Sequence, residues 1–232
     1  MFRDFITTGL RVCMSITLAA PYLQAVSRLG AISGSVVAEN GNPAAGATVT
    51  AQAEDRLMIG IAPAATTDAK GKFLLKGLQP GLYTVSAAKE DEFYPNTAYT
   101  FYYNGESLPR ATVSAGEVTE RIVVKLGPKG ARITGRVVDA TTNAPVWTAH
   151  ITFYEANSPQ IYLSTTVRKG TAEFKLLVPS IRAFRMRVGA TGYDTWYHGK
   201  DGSEEQATPI QMKPGETKEM TVRLKPSKDS LR

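Results

Sequence analysis

The chain of 232 residues is 43% hydrophobic and 21% charged, a balance that excludes a disordered or collagenous protein and suits one or two globular domains. Its formal charge of +6 is uneven: residues 129–232 carry sixteen Lys or Arg against ten acids, and residues 31–128 carry eight against ten. These basic residues stand singly among acids rather than in a stripe with aromatics, which speaks for a solvated surface and against a nucleic-acid footprint.

The first 25 residues have the order of a secretory signal. Arg3 and Arg11 precede a short apolar run, Val12 to Ala20, followed by Pro21 and the small residue Ala25. Nine residues are too few to span a bilayer, which takes about 20. Asp4 and Leu23 depart from the pattern, and an amphipathic N-terminal helix is the alternative. Cys13 is the single cysteine, so no disulfide framework is expected. Arg11 falls inside what would be a lipoprotein cleavage box before it, which argues against lipidation. The expectation is a secreted or periplasmic/cell-envelope protein with residues 1–25 as signal peptide and no transmembrane span after cleavage.

From residue 30 onward apolar residues recur at every second position, the period of a strand. Ile32, Gly34 and Val36 share a face, as do Ala47, Val49 and Ala51; Phe73 and Leu75; Tyr83, Val85 and Ala87; and Ile122, Val124 and Leu126. The second half repeats the order with Ile133, Gly135, Val137; Ala149, Ile151, Phe153; Phe174, Leu176, Val178; Phe184, Met186, Val188; and Met220, Val222, Leu224. Ile32-Ser-Gly-Ser-Val-Val-Ala38 returns as Ile133-Thr-Gly-Arg-Val-Val-Asp139, and Tyr102-Tyr-Asn-Gly105 as Trp196-Tyr-His-Gly199. An offset of about one hundred residues means duplication of a whole domain, because solenoid repeats run about 20–50 residues. One-sided strands punctuated by Gly, Pro, Asn and Asp predict an all-β chain of two tandem antiparallel β-sandwich domains, residues 31–127 and 131–226. The short turn-forming link Gly127-Pro-Lys-Gly130 leaves them limited freedom.

Residues 66–87, TTDAKGKFLLKGLQPGLYTVSA, concentrate the turn chemistry. Asp68-Ala-Lys-Gly71 reads as one hairpin turn and Gln79-Pro-Gly81 as another of type II, with Phe73, Leu75, Tyr83 and Val85 on neighbouring core-facing strands. Ile32-x-Gly-x-Val36, Ala47-x-Val49, Thr67-Asp-x-x-Gly-x-Phe73 and Leu78-x-Pro-Gly-x-Tyr83-x-Val85 together resemble the carboxypeptidase regulatory-like domain, a transthyretin-like (prealbumin-like) β-sandwich. The resemblance covers residues 31–88 closely. The second copy departs from it, lacking the Asp before Gly170 and placing Pro179-Ser180 where Pro-Gly would stand. The resemblance implies a fold of carbohydrate-binding-like type and a module appended to secreted or outer-membrane bacterial proteins, and it says little about activity.

Motifs for chemistry are sparse. Gly71-Lys72 is followed by Phe73 rather than Ser or Thr, with no helix after it, so it does not form a phosphate loop. His150 and His198 are the chain's two histidines and stand in no metal-ligand spacing. The close His pair of ring-cleaving dioxygenases and the C-terminal Tyr-Arg-Gly-Ser of transthyretin-like hydrolases, both on related folds, have no counterpart. No serine has a nucleophile-elbow context. The expectation is therefore a protein that is not an enzyme and has no cofactor or metal. The remaining candidates are aromatic: Tyr94, Tyr99, Phe101, Tyr102 and Tyr103 in one copy, and Tyr193, Trp196 and Tyr197 in the other. Tyr102, Tyr103, Trp196 and Tyr197 are the candidate ligand contacts, since Tyr and Trp offer area at low entropy cost. Their recurrence in both copies favours a shared packing role instead. Arg185 and Arg187 read as a solvated face. The function expected is an interaction or structural module at the cell envelope, binding a protein or a glycan and no nucleic acid; the alternative is a carbohydrate-binding module.

Overall fold

A computed structural model describes residues 28–55, 62–98, 107–156 and 161–227. The segment expected to be a signal peptide lies outside them. The first half forms strands β1 (Gly30–Val37), β2 (Thr48–Ala53), β3 (Ala64–Thr66), β4 (Lys72–Leu78), β5 (Gly81–Ala88), β6 (Arg110–Val113) and β7 (Val118–Lys125). The second forms β8 (Ala131–Asp139), β9 (His150–Glu155), β10 (Ile161–Thr166), β11 (Glu173–Val178), β12 (Phe184–Gly189), β13 (Trp196–Tyr197) and β14 (Thr217–Leu224). Sheets ordered β4-β1-β7 and β3-β2-β5 recur as β11-β8-β14 and β10-β9-β12. The fourth strands differ: β6 pairs with the start of β5, where the second unit has a Phe184–Ile210 bridge, and β13 pairs with the end of β12. The duplicated sequence is thus a duplicated two-sheet unit. Antiparallel pairing dominates, with one parallel pair added at the same place in each unit, β1 with β7 and β8 with β14.

Alternation decides what each unit buries. Ile32, Val36, Leu75 and Val124 from one sheet meet Val49, Ala51, Val85 and Ala87 from the other in a single cluster. The second core is built the same way from larger side chains: Ile133, Val137, Phe174 and Val222 against Ile151, Phe153, Met186 and Val188. Phe153 takes the place of Ala51, and its ring meets Phe184 edge-to-face at 5.1 Å.

Two glycines account for the most regular part of the repeat. Gly34 pairs with Phe73 across β1 and β4, and Gly135 with Phe174 across β8 and β11. A Cβ at Gly34 would lie 1.9 Å from the Ile122 carbonyl oxygen and 2.9 Å from the Phe73 ring. At Gly135 it would lie 2.2 Å from the Met220 carbonyl oxygen and 2.8 Å from the Phe174 ring. Each ring occupies the space over its glycine, so Ile-x-Gly-x-Val and the later Phe are two halves of one contact.

Residues 66–87 differ from the expectation in two respects. Asp68 does form the first turn, its Oδ1 accepting the N–H groups of Lys70 and Lys72 at 2.8 Å, with Gly71 at φ 69°. Neither turn closes a hairpin, however, because β4 lies in one sheet while β3 and β5 lie in the other. Gly81 has φ 153°, well away from the roughly +80° of a type II turn. Both turns are corners between sheets, and Phe73 and Leu75 meet Tyr83 and Val85 across the core. Period-two alternation says which face of a strand is buried; it leaves the choice of neighbour open.

The link is pinned from both sides. The Gly130 N–H donates to the Phe93 carbonyl at 2.7 Å, and its own carbonyl accepts from Gly215 N–H at 2.8 Å. A Cβ here would lie 2.3 Å from the Val178 carbonyl oxygen and 2.7 Å from Pro95 Cγ, which explains the glycine. Arg132, on β8, reaches back to the first domain: Nη2 donates to the Glu90 carbonyl at 2.6 Å and the guanidinium lies 4.4 Å from the Phe93 ring centre. Lys129 lies 5.4 Å from the Tyr94 ring centre.

Candidate functional site

Of the four aromatic candidates, Tyr102 and Tyr103 lie outside the described residues, as do Tyr99 and Phe101. Trp196 and Tyr197 are adjacent on β13, which pairs with β12 through Val188 and Arg187. Successive side chains of a strand point to opposite faces, so the two rings are separated rather than brought together. Trp196 packs against the second core. Gly202 covers its pyrrole edge so closely that a Cβ would lie 2.6 Å from Cδ1. The remaining rim borders a groove of ≈ 620 Å³ lined by Asp194, Lys200, Asp201, Ser203, Thr221 and Lys225. Tyr193 and Tyr94 also pack on their respective cores. The Tyr193 hydroxyl donates to Asp139, whose carboxylate also accepts the N–H groups of Thr141 and Thr142 at 2.7 and 2.8 Å. Those bonds hold the Asp139 carboxyl below its ordinary pKa, the Thr142 and Thr141 amides contributing most.

Tyr197 lies on the outer face of the four-stranded sheet. Burial pushes its phenol pKa up, and so does the negative charge of Glu204, while nearby Arg187 offsets part of the rise. On β9 and β12, Thr152 is the register partner of Arg187 and Tyr154 that of Arg185. Arg187 is exposed, as the sequence pattern implies, whereas Arg185 is half-buried. Its Nε is closed off from water and has no hydrogen-bond partner among the described residues. Tyr154, Arg185, Arg187 and Tyr197 thus form one aromatic and cationic surface, edged by Glu204. Periodicity marks Arg185 and Arg187 as outward but gives no hint that they share a face with Tyr154 and Tyr197.

Trp147 follows β8 and is 54% exposed, and nothing in the strand pattern singles it out. A signal does exist in the duplication. The Ala44 N–H donates to Val36 and the Val146 N–H to Val137, each at 3.0 Å, so Trp147 occupies the place of Ala45.

Among the described residues no group of three or more His, Cys, Asp or Glu is placed to hold a metal ion. His150 is exposed at the start of β9. The His198 ring is half-buried with Nδ1 3.3 Å from the Thr208 carbonyl, and burial holds its pKa below the ordinary imidazole value. No described helix is long and apolar enough to cross a membrane.

No curated protein matches the chain. Among solved structures it is similar to the TIE protein of Bacillus anthracis, at 19% identity and TM-score 0.32 over 86% of this chain and 34% of that one. A streptococcal ancillary pilin matches at 15% identity and TM-score 0.29 over 88% and 64%, so the chain spans about a third and under two thirds of these two proteins. The minor pilin of Streptococcus agalactiae matches at 14% identity and TM-score 0.29 over 87% and 97%. Scores this low do not establish a common overall arrangement. The family comparison is direct: the carboxypeptidase regulatory-like domain model matches residues 31–126 and again residues 132–225. Both matches fall on the duplicated two-sheet units, and the chain belongs to the carboxypeptidase regulatory-like domain family, in two tandem copies.

Proposed function

We propose that this protein is a non-catalytic interaction module of the cell envelope, in which the second domain offers the contact surface and the first supports it. The observation that carries the reading is the outer face of β9, β12 and β13. Its large side chains, Tyr154, Arg185, Arg187 and Tyr197, spread over a sheet face. Acid–base catalysis needs groups converging within hydrogen-bond reach of a reacting atom; Tyr and Arg on an open face are the residues that anchor protein interfaces. The signal-like order of residues 1–25 supports export. A photo-crosslinking residue at Tyr154 in the full chain, expressed in its own cells, tests the reading against the same residue at Leu74 on the first domain. A protein adduct from position 154 alone is expected. Its absence from both positions would overturn the reading.

One observation favours a second reading, a carbohydrate-binding module: the groove beside Trp196 combines an aromatic rim with Asp194, Lys200, Asp201 and Ser203. Glycan-array binding that disappears in Trp196→Ala and persists in Trp147→Ala would establish it; no glycan binding by the wild type would remove it.

A further inference from the structure

We infer that the outer face of β9, β12 and β13 receives an extended acidic polypeptide segment, with alternate carboxylates on Arg185 and Arg187. This rests on the reading of the chain as an interaction module and names the partner's chemistry.

The comparison between copies isolates the face. Gln52 pairs with Thr84 in the first domain where Tyr154 pairs with Arg185 in the second, and Thr50 pairs with Ser86 where Thr152 pairs with Arg187. The core positions beneath stay apolar in both, so the outward side chains alone have changed class. In the first domain the face satisfies itself: the Thr50 and Ser86 hydroxyls bond each other at 2.9 Å. In the second the cations outlast the acids available to them. Glu155 is taken by Arg182 at 2.8 Å, and Glu204 lies beside Tyr197. Arg187 is exposed beside Tyr197, its register partner on β13. Arg185 is half-buried, its Nε closed off from water and without a hydrogen-bond partner among the described residues. A carboxylate from outside meets the outer Nη edge of each guanidinium, which is shaped for two parallel charge-assisted bonds.

Spacing selects the form of the partner. Residues two apart on a strand project on the same face about 7 Å from one another, and alternate side chains of an extended peptide repeat at that same distance. An acidic-x-acidic segment laid along β12 therefore meets Arg185 and Arg187 in register, with Tyr154 and Tyr197 flanking the contact. The excess of Lys and Arg over acids in residues 129–232 favours encounter with such a segment.

The test uses the full chain and three labelled seven-residue peptides followed by fluorescence polarisation: Thr-Glu-Thr-Glu-Thr-Glu-Thr, its Gln-for-Glu counterpart, and the same composition with the three Glu adjacent. The alternating peptide is expected to bind at least about tenfold more tightly than the Gln peptide, the scale of one or two charge-assisted bonds. It should also exceed the block peptide and weaken as salt rises. Arg185→Ala/Arg187→Ala should abolish the preference. Arg185→Lys/Arg187→Lys, which keeps charge without the fork, should fall between, and Lys72→Ala/Lys76→Ala on the first domain should change nothing. Unaltered thermal melting of each variant separates loss of contact from loss of fold. Equal binding of the Glu and Gln peptides, or binding indifferent to both arginine pairs, overturns the inference; so does an arginine-dependent affinity for polygalacturonate without affinity for the peptide. A Tyr154 adduct that survives Arg185→Ala/Arg187→Ala would sink this inference alone and leave the interaction reading standing.

Discussion

The two domains share strand order and sheet pairing, apart from the fourth strand of the larger sheet, and the glycine under a phenylalanine, yet present different outer surfaces. Where the first has Gln52, Thr84 and Ser86, the second has Tyr154, Arg185 and Arg187; where the first has Ala45, the second exposes Trp147. Duplication has held the positions that close the sandwich and released those that face water. The core also grew: Ala51 corresponds to Phe153 and Val85 to Met186, with the same backbone pairing around them. Fold and surface chemistry thus separate cleanly along the two faces of each strand.

The sharpest way to break the equivalence is to remove the shared contact on one side at a time. Phe73→Ala and Phe174→Ala should each cost about 3–5 kcal/mol, a large part of the roughly 5–15 kcal/mol available to a domain. Each ring is almost fully buried over its glycine, so calorimetry should show each change lowering the melting of its own domain. An unchanged melt for either would mean that the glycine–ring contact is not equivalent in the two copies. Gly34→Ala and Gly135→Ala attack the same contact from beneath. Each forces a methyl onto a carbonyl of the neighbouring strand, at a cost of about 1–3 kcal/mol or more. Gly34, with the shorter distance, should suffer more.

A smaller effect tests whether the domains act together. Arg132→Ala removes the bond to the Glu90 carbonyl and the stacking on Phe93, while Gly130 keeps its two backbone bonds. A charge-assisted bond of this kind is worth about 1.5–3 kcal/mol. The loss should appear as wider separation of two unfolding transitions rather than as lower intrinsic stability of either domain. A single transition shifted as a whole would show that Arg132 stabilises its own domain instead.

How far the sequence could be read follows from which interactions are periodic. Ile32 and Val36, or Ile133 and Val137, are buried because alternation places them inward, and that regularity, copied about a hundred residues on, was enough for fold class and duplication. Neighbour choice was not legible: the corners at Gly71 and Gly81 have hairpin composition, yet the chain crosses between sheets there. The candidate face was half legible. Alternation puts Arg185 and Arg187 outside and separates Tyr197 from Trp196, but meeting Tyr154 and Glu204 depends on pairing between distant strands. Trp147 carries no periodic signal because it lies in a turn, and comparison with Ala45 is the one route to it.

Acid should distinguish the domains by the smallest margin and with a defined sign. His198 has its pKa lowered by burial, so the unfolded chain, with an imidazole near about 6.5, takes up a proton first. Stability of the second domain is then complete above that pH and declines as pH falls through the lowered folded value. Asp139 has its pKa lowered by the Thr142 and Thr141 amides and by Tyr193. Its contribution is complete above the unfolded carboxyl value of about 3.9 and is lost as pH falls further. The first domain has Ala38 at the position of Asp139, and both histidines of the chain lie in the second. Melting followed from pH 7.5 to 3 should therefore show the second transition falling before the first. His198→Gln should flatten the decline between pH 6.5 and 4, and Asp139→Asn the decline below 4. Asp139→Asn should also start from a lower plateau, because a neutral amide oxygen is a weaker acceptor for the two amides and the Tyr193 hydroxyl. If both transitions fell in parallel, or His198→Gln left the upper slope unchanged, the buried imidazole would not be what makes the second domain the acid-sensitive half.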